Sequence, residues 1–420
     1  MRSKLPKVLH QVGGRPIVDL VVEACHEAGI QRLYAVVSPS QPEVGEHLAG
    51  RCEIVFQEEQ KGTGHALAQV PPEVFEARDL VVVNADAPLL RGATIKQLVA
   101  AHQASGAAAT LASVSDPGRD DGRIVRRPDG AFERIVEASD ADGQELRQIQ
   151  EVNVGLYCFR GPQLRGALQA LQPDNRAGEL YLTDLFKDLR PVNVVRLEDA
   201  AEAIGVNDRA QLARAEAVLR QRVLNDLMLS GVTIVDPATT YVDAGVKIGE
   251  DTVIFPFSVL RGETRIGSGC RIGPFVVITD TTFADSSDCG PFAHVRSGTE
   301  IGAEVHVGSF AEIVRSSIAR RSRVPHVSYL GDATVGENVN IGAGTITANW
   351  DGERKNQTVI EDDAFVGVDT MLRAPVKLGR GSRTGAGAVV TRDVAPGATA
   401  VGVPARVIRK KTAQLPQETR

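Results

Sequence analysis

Branched aliphatic residues recur every six positions through the second half of the chain. The series runs Val242, Ile248, Ile254, Leu260, Ile266, Ile272 and Ile278, then Ile301, Val307 and Ile313. It resumes at Ile318, Val324 and Leu330, at Val335 and Ile341, at Ile360, Val366 and Leu372, and at Leu378, Thr384 and Val390. An amphipathic helix repeats every 3.6 residues and a half-buried strand every 2, so neither explains a period of six. A parallel β-helix does, with each hexad forming one wall of a triangular coil. The aliphatic residue points inward, and the Gly or acidic neighbour in IGED, IGSG and IGPF takes the tight corner. The period predicts a left-handed parallel β-helix of hexapeptide repeats, whose hexads run from about 240 to 395. Two stretches break it. Residues 279–297 read as an irregular segment, and 347–359 as a polar loop carrying Asn349, Trp350, Asp351, Gly352 and Lys355. An insertion projecting from a rigid solenoid is a common seat of function.

The first two hundred residues have a different texture. Apolar runs at 33–39, 52–56 and 80–90 alternate with amphipathic segments at 17–30 and 94–106, which predicts an α/β domain with a mainly parallel, Rossmann-like sheet. Residues 208–229 are rich in Ala, Leu and Arg without Gly or Pro. They read as a connecting helix between the halves, or as a terminal helix docked on the first. A chain of 420 residues exceeds one core. Aromatic residues make up only 4%, which suits the narrow interior of a solenoid. A net charge of −6 leaves no basic surplus for nucleic acid, and Arg409, Lys410 and Lys411 read as a solvated tail. Five scattered cysteines without a CxxC pair read as free thiols of a reducing compartment. The absence of a long apolar run argues against a membrane span. Together these features point to a cytoplasmic protein.

Several residues carry candidate chemistry. Asp86 ends the apolar run LVVVNADAPLL, where a carboxylate at the carboxyl end of a strand suits a cation bridging phosphates, or simply caps a turn. QKGTGHA at 60–66 is a glycine-rich turn whose backbone N–H groups can approach a ligand. Lys7, beside Pro6, can neutralise a phosphate. His326 lies among aliphatic coils with Tyr329, Asn340 and the polar loop close in sequence. Acyl transfer to an amine needs a base near neutrality and donors for an oxyanion, which imidazole, amide and backbone groups supply.

The ordered motifs SKLPKVLHQVGGRP, FQEEQKGTGHA, NADAPLL, DGRIVR, IVEASDA, EVNVGLYCF and GVNDRAQL precede the hexads. HVSYLGDATVGENVNIGAGTITANWDG and GAGAVVTRDV follow within them. In this order the motifs resemble the bifunctional bacterial enzymes that acetylate glucosamine 1-phosphate and then uridylylate N-acetylglucosamine 1-phosphate. The resemblance implies a nucleotidyltransferase domain at 1–207, a linker helix at 208–229, an acetyltransferase β-helix at 230–408 and a tail at 409–420. It implies UTP and acetyl-CoA as co-substrates, Mg²⁺ as cofactor, a homotrimer with acetyl sites between subunits, and a product used for cell-wall and lipopolysaccharide precursors. By position, Lys7, Gln57, Gly62 and Thr63 would surround the nucleotide. Asn84, Ala85, Asp86, Gly122, Glu137, Asn153 and Asn207 would form the sugar and metal site, with Asp86 and Asn207 holding Mg²⁺. His326 would be the general base. Arg296, Tyr329, Asn340 and Lys355 would bind the sugar phosphate, and Ala343, Asn349, Trp350, Val368 and Ala386 the acetyl-CoA.

The chain also departs from that pattern. The family opens with an apolar strand and a glycine-rich loop of the type LAAGxGTRM, whereas this sequence starts at the Met that would end the loop. The expectation is a start assigned too late or a trimmed chain, with a central strand and phosphate cradle missing from the first domain. Val314 stands where a Lys is usual, with Arg315 adjacent as a partial substitute. Ser309 replaces Asn, Trp350 replaces Tyr and Val368 replaces Ser, while Arg406 in the ending GVPARVI remains available to CoA phosphates. The alternatives are that one half alone is active, or that the chain is a non-catalytic trimeric sugar-nucleotide binder.

Overall fold

The computed structural model describes residues 1–116, 121–137, 149–173, 175 and 178–408, so Arg409, Lys410 and Lys411 lie outside it. The chain divides into two compact units, Met1–Leu219 and Arg220–Arg420.

The first unit is an α/β fold organised on one long strand, Glu151–Arg160. This strand runs antiparallel to Asp79–Val83, Ala109–Ser115 and Arg123–Arg126. Parallel pairing occurs between Ala109–Ser115 and Val192–Arg196, and in a separate two-stranded sheet of Tyr34–Val37 and Glu53–Phe56. The return is antiparallel because the chain between Ala109–Ser115 and the long strand contains a hairpin, Arg123–Arg126 with Phe132–Val136. Alternate residues of the long strand serve two cores. Tyr157 and Phe159 join Phe132, Leu164 and Phe186 on one face. Leu156 and Cys158 join Ile95, Leu98 and Ala24 on the other. Burial on both faces explains why EVNVGLYCF reads as an almost continuous apolar run. A cavity of about 710 Å³ lies between Tyr34–Val37 and Asp79–Val83, with Val8, Val18, Val22 and Leu48 in its wall. Among the described residues these two strands do not pair with each other.

One helix spans Arg209–Leu229. Its early turns pack Ala215 with Val12 and Ile17, and in its later turns Leu224 enters the core of the second unit. Among the described residues no helix is long and apolar enough to cross a membrane. The cysteines are unpaired, four of them buried; burial raises the Cys25 thiol to about 11 and Cys158 to about 12.

The second unit is a left-handed parallel β-helix with three walls. Face A carries the short strands from Thr233–Ile234 to Thr399–Val401, including Arg271–Ile272 and Asn340–Ile341. Face B follows it in each coil and includes Val259–Arg261, His294–Val295, Ile346–Ala348 and Met371–Arg373. Two longer strands, His306–Val314 and Arg323–Gly331, run through faces A and B and carry the corner between them. Face C is an eight-stranded sheet from Lys247–Ile248 to Val376–Leu378. The hexad aliphatics fill the interior; Ile254, Leu260, Ile272, Ile278, Ile313, Leu330 and Ile341 are each 0% exposed. Buried threonines and serines beside them donate to coil carbonyls, as Thr252 does to Gly267 and Thr264 to Arg261.

The stretch 279–297 is not irregular. It contains the strands Thr281–Phe283, Asp288–Cys289 and His294–Val295, in register with the coils on either side. The period was masked because one turn is a residue shorter and Phe283 and Cys289 occupy the inward positions, both buried. By contrast 347–359 does project. Ser317 pairs with Thr334, 17 positions on, whereas Ala333 pairs with Thr358, 25 positions on, so the loop adds eight residues to one coil. Because Leu330 is wholly buried, Leu330→Ala should cost about 2–5 kcal/mol, read as a lower urea midpoint for the second unit.

Candidate active sites

In the first unit Lys7 forms the centre of one constellation. It follows Pro6 in a 3-10 turn, Lys7–Leu9. Its ammonium donates to Asp86 Oδ2 at 2.6 Å and to Asn207 Oδ1 at 2.8 Å. Asp86 lies just beyond the strand Asp79–Val83, and its carbonyl accepts the N–H of Val206, which fixes the 205–207 segment beside it. Asn84 and Ala85 are exposed at the same strand end. The Asn84 amide lies over Gly155, where a Cβ would stand 2.2 Å from its Nδ2. Gly155 also takes a left-handed φ of 78° inside the long strand, so both backbone and space require glycine there.

The residues expected at the sugar and those expected at the nucleotide form two neighbouring groups. Asn153 donates its N–H to the Gly122 carbonyl at 2.8 Å and its amide to the Tyr157 hydroxyl at 2.6 Å. Glu137 packs against Gly122 and accepts from the Thr183 hydroxyl at 2.6 Å. On the nucleotide side, the Gln57 amide donates to the Gly62 carbonyl at 3.1 Å and approaches His65 Nδ1 at 3.0 Å. Thr63 opens the helix Thr63–Ala68, and its hydroxyl accepts the Leu182 N–H at 3.0 Å. Leu182 and Thr183 therefore tie the two groups together. Sequence reading missed Thr183, because nothing in YLTDLF marks a hydroxyl at a site.

Asp86 and Asn207 suit a divalent cation. Both present hard oxygen donors, which Mg²⁺ prefers, and in this structure those oxygens already converge on one positive group, the Lys7 ammonium. Among the described residues no cluster of three His, Cys, Asp or Glu side chains provides a metal cage. A cation here would keep coordination positions for phosphate oxygens.

In the second unit His326 occupies the corner between faces A and B, exposed and in register with Ser309 of the preceding coil. The strand pairings carry that column upward through Ala343, Val368 and Ala386, one per coil. Three positions after His326, Tyr329 lies on face B beside Glu312, which holds Arg296 in an ion pair at 2.8 Å. Tyr329 and Asn349 converge over Gly331, where an added Cβ would meet the Tyr329 hydroxyl and the Asn349 amide at 2.6 Å each. Asn349 is buried, whereas Trp350 is 57% exposed. The loop is a small hairpin in which Trp350 bridges Lys355. Asp351 holds its turn, and the N–H groups of Arg354 and Glu353 with the Asn356 amide lower its carboxyl to about 2.

Arg315 grips Asp332 with two hydrogen bonds at 2.7 and 2.9 Å. These bonds chiefly hold Asp332 below the usual carboxylate range. Arg315, Asp332 and Lys355 line a recess of about 520 Å³. The structure thus gathers Arg296, Tyr329, Asn349, Trp350 and Lys355 on face B and its far edge. It leaves Asn340 on face A, across the corner from them. Val314 is buried beside this group, and Arg406 is exposed on the terminal strand Arg406–Ile408. Neither Gly331 nor Asp332 could be picked from sequence, since Gly and Asp are ordinary coil-corner residues.

Residues 1–189 match the family model of MobA-like NTP transferase domains. Residues 245–280 match that of bacterial transferase hexapeptides, and 357–392 that of the hexapeptide repeat of succinyl-transferases. Among whole proteins, the chain is 44% identical over 423 residues to the bifunctional protein GlmU of Syntrophomonas wolfei, an alignment covering 96% of this chain and 94% of the relative. It is 46% identical over 440 residues to that of Thermobifida fusca, covering 97% and 90%. For that of Geobacillus thermodenitrificans the identity is 41%, covering 96% and 92%.

The space over Gly331 yields a prediction. Gly331→Ala should push Tyr329 and Asn349 apart and lower the acetyl transfer expected of this unit by about 10²-fold. Separate assays of the two half-reactions should find the first unit's chemistry unchanged.

Proposed function

The chain belongs to the family of bifunctional GlmU proteins, and on that premise we propose how its residues divide the two reactions that end in UDP-N-acetylglucosamine. The second unit transfers an acetyl group from acetyl-CoA to glucosamine 1-phosphate. The first unit transfers the uridylyl group of UTP to N-acetylglucosamine 1-phosphate and releases pyrophosphate. One observation carries this assignment: the likeness to bifunctional relatives runs through both units, over 96% of the chain.

In the uridylyl reaction a phosphate oxygen of the sugar phosphate attacks the α-phosphorus of UTP, and the bond to pyrophosphate breaks. Gln57, Gly62 and Thr63 hold the nucleotide, and Asn84, Ala85, Gly122, Glu137 and Asn153 orient the sugar. Lys7 neutralises phosphate oxygens. Asp86 and Asn207 would hold Mg²⁺, which would supply positive charge to offset that of the phosphates. These side chains work by positioning and charge, and no covalent nucleophile is required.

In the acetyl reaction the sugar amine attacks the thioester carbonyl. The C–N bond forms, the C–S bond breaks, and His326 takes the amine proton. Arg296, Tyr329, Asn340 and Lys355 bind the acceptor. Ala343, Val368, Ala386, Asn349 and Trp350 receive acetyl-CoA. Asn340 lies on the other wall from Tyr329 and Lys355, and the Ala343–Ala386 column lies at the opposite edge of face B from Trp350. A single copy therefore holds these groups apart, which supports a site completed by a second copy.

Three copies is the number implied by the family resemblance. Support for close association comes from the corner that bears His326. Phe257, Phe275, Phe292 and Phe310 stack along it with centroids 4.7, 5.0 and 5.1 Å apart. They remain 45–60% exposed. An exposed apolar ridge of this length marks an interaction surface. In a ring around an axis parallel to that of the β-helix, face A of one copy would meet face B of the next at equal height. His306 would then oppose a neighbour's Glu312, and Asp288 a neighbour's His294. The nature of the substrates and the unpaired, mostly buried thiols support a cytosolic location.

A double dissociation tests the two roles. His326→Ala should lower acetyl transfer by about 10²–10⁴ while leaving uridylyl transfer intact, and Asp86→Ala should do the reverse. Loss of both activities in either variant would reject the division. For the assembly, Phe292→Glu with Phe310→Glu should shift the mass by light scattering from trimer towards monomer and lower acetyl transfer with it.

A further inference from the structure

Asp332 has no binding role above, yet both ends of the 349–357 hairpin fasten to it. At the entry, the Asn349 amide donates to Asp332 Oδ2 at 2.5 Å. At the exit, the N–H of Thr358 donates to the Asp332 main-chain carbonyl at 3.1 Å, a rung of the strand ladder that does not depend on the side chain. Within the hairpin, the Lys355 charge acts on the same carboxylate. From the preceding coil, Arg315 binds both carboxylate oxygens. Asp332 takes a left-handed φ of 51°, as Asp280 and Asp369 do at other coil corners, and its side chain is only 19% exposed.

We propose that Asp332 is a positioning residue for acetyl transfer: aligned by Arg315, it braces the hairpin so that Trp350 meets acetyl-CoA and Lys355 meets the acceptor phosphate. The proposal rests on the reading of this hairpin as part of the acetyl site. The physical reason is the cost of order. Without the carboxylate the hairpin keeps its internal bonds but loses a side-chain tie to the coil; it then samples more orientations, and a substrate that needs one of them must supply the ordering free energy on binding. The brace places that cost in the fold. Arg315 contributes by fixing the carboxylate in a two-pronged geometry, which a lone carboxylate at the coil surface would lack.

Trp350 is the single tryptophan of the chain, so its emission reports the hairpin alone. In Asp332→Ala without ligand, Trp350 anisotropy should fall and acrylamide quenching rise, while the thermal midpoint of the coil changes little. The KM for acetyl-CoA should rise about 10-fold or more, with a smaller change in kcat and none in uridylyl transfer. Asp332→Asn keeps an acceptor for Asn349 but loses the paired oxygens for Arg315, so it should recover part of the anisotropy and part of the KM. It also serves if the alanine variant fails to fold.

Unchanged anisotropy and KM in both variants would overturn the proposal. So would a looser hairpin with an unchanged KM. The reading beneath it is tested separately: in the unaltered protein, acetyl-CoA should quench Trp350. If it does not, the assignment of the hairpin to acetyl-CoA fails, whereas the anisotropy of the Asp332 variants still decides whether the brace exists.

Discussion

Backbone hydrogen bonds between successive coils set the terms for the whole second unit. Each rung lies one strand spacing, about 4.8 Å, from the next, and in-register pairing stacks equivalent hexad positions into columns. The four phenylalanines at the corner show this directly, since their centroids repeat at 4.7–5.1 Å. The same ladder carries His326 into line with Ala343, Val368 and Ala386. It also brings Tyr329, two residues before Gly331, under the Asn349 amide from the next coil. A solenoid of this kind cannot bend to fit a ligand. It offers columns of fixed spacing, and function enters where one column changes residue type or one coil lengthens.

The first unit obeys a different constraint. Its long strand, Glu151–Arg160, is buried on both faces and pairs with three neighbours, so it acts as the rigid reference for the site. Asn153 and Gly155 belong to it, Asn84 packs on it, and Gly122 is bonded to it. Other site residues come from segments far apart in the chain, as Lys7 and Asn207 do on either side of Asp86. The Lys7 ammonium between two oxygen donors illustrates the economy of such a site. A positive group holds the two oxygens together here; phosphate can draw on that ammonium, and a divalent cation on the same oxygens.

How much of this was legible in the sequence depended on period. The hexad rhythm announced the β-helix, and nearly every aliphatic residue in that rhythm is buried. Reading failed at 279–297, because a one-residue shortening and the substitutions Phe283 and Cys289 hide a regular coil from a strict six-residue count. In the first unit, alternation of apolar runs and amphipathic segments indicated α/β architecture. Pairing direction was not visible, since a doubly buried strand looks alike whether its neighbours run parallel or antiparallel. Thr183, Gly331 and Asp332 were invisible for a related reason: each matters through a neighbour 17 to 46 positions away.

By itself the sequence determined the two architectures, the projecting loop, and the motifs that tie the chain to a bifunctional family. These are local or periodic properties, and chemistry written in residue order survives without coordinates. Only the tertiary structure decided that Lys7 lies between Asp86 and Asn207, that Gly331 keeps space for Tyr329 and Asn349, and that Asp332 ties down both ends of the hairpin. Contacts between residues on different coils or strands depend on register, and register follows from how turns of unequal length bring backbones together. That sum over the whole fold is not contained in any one segment of it.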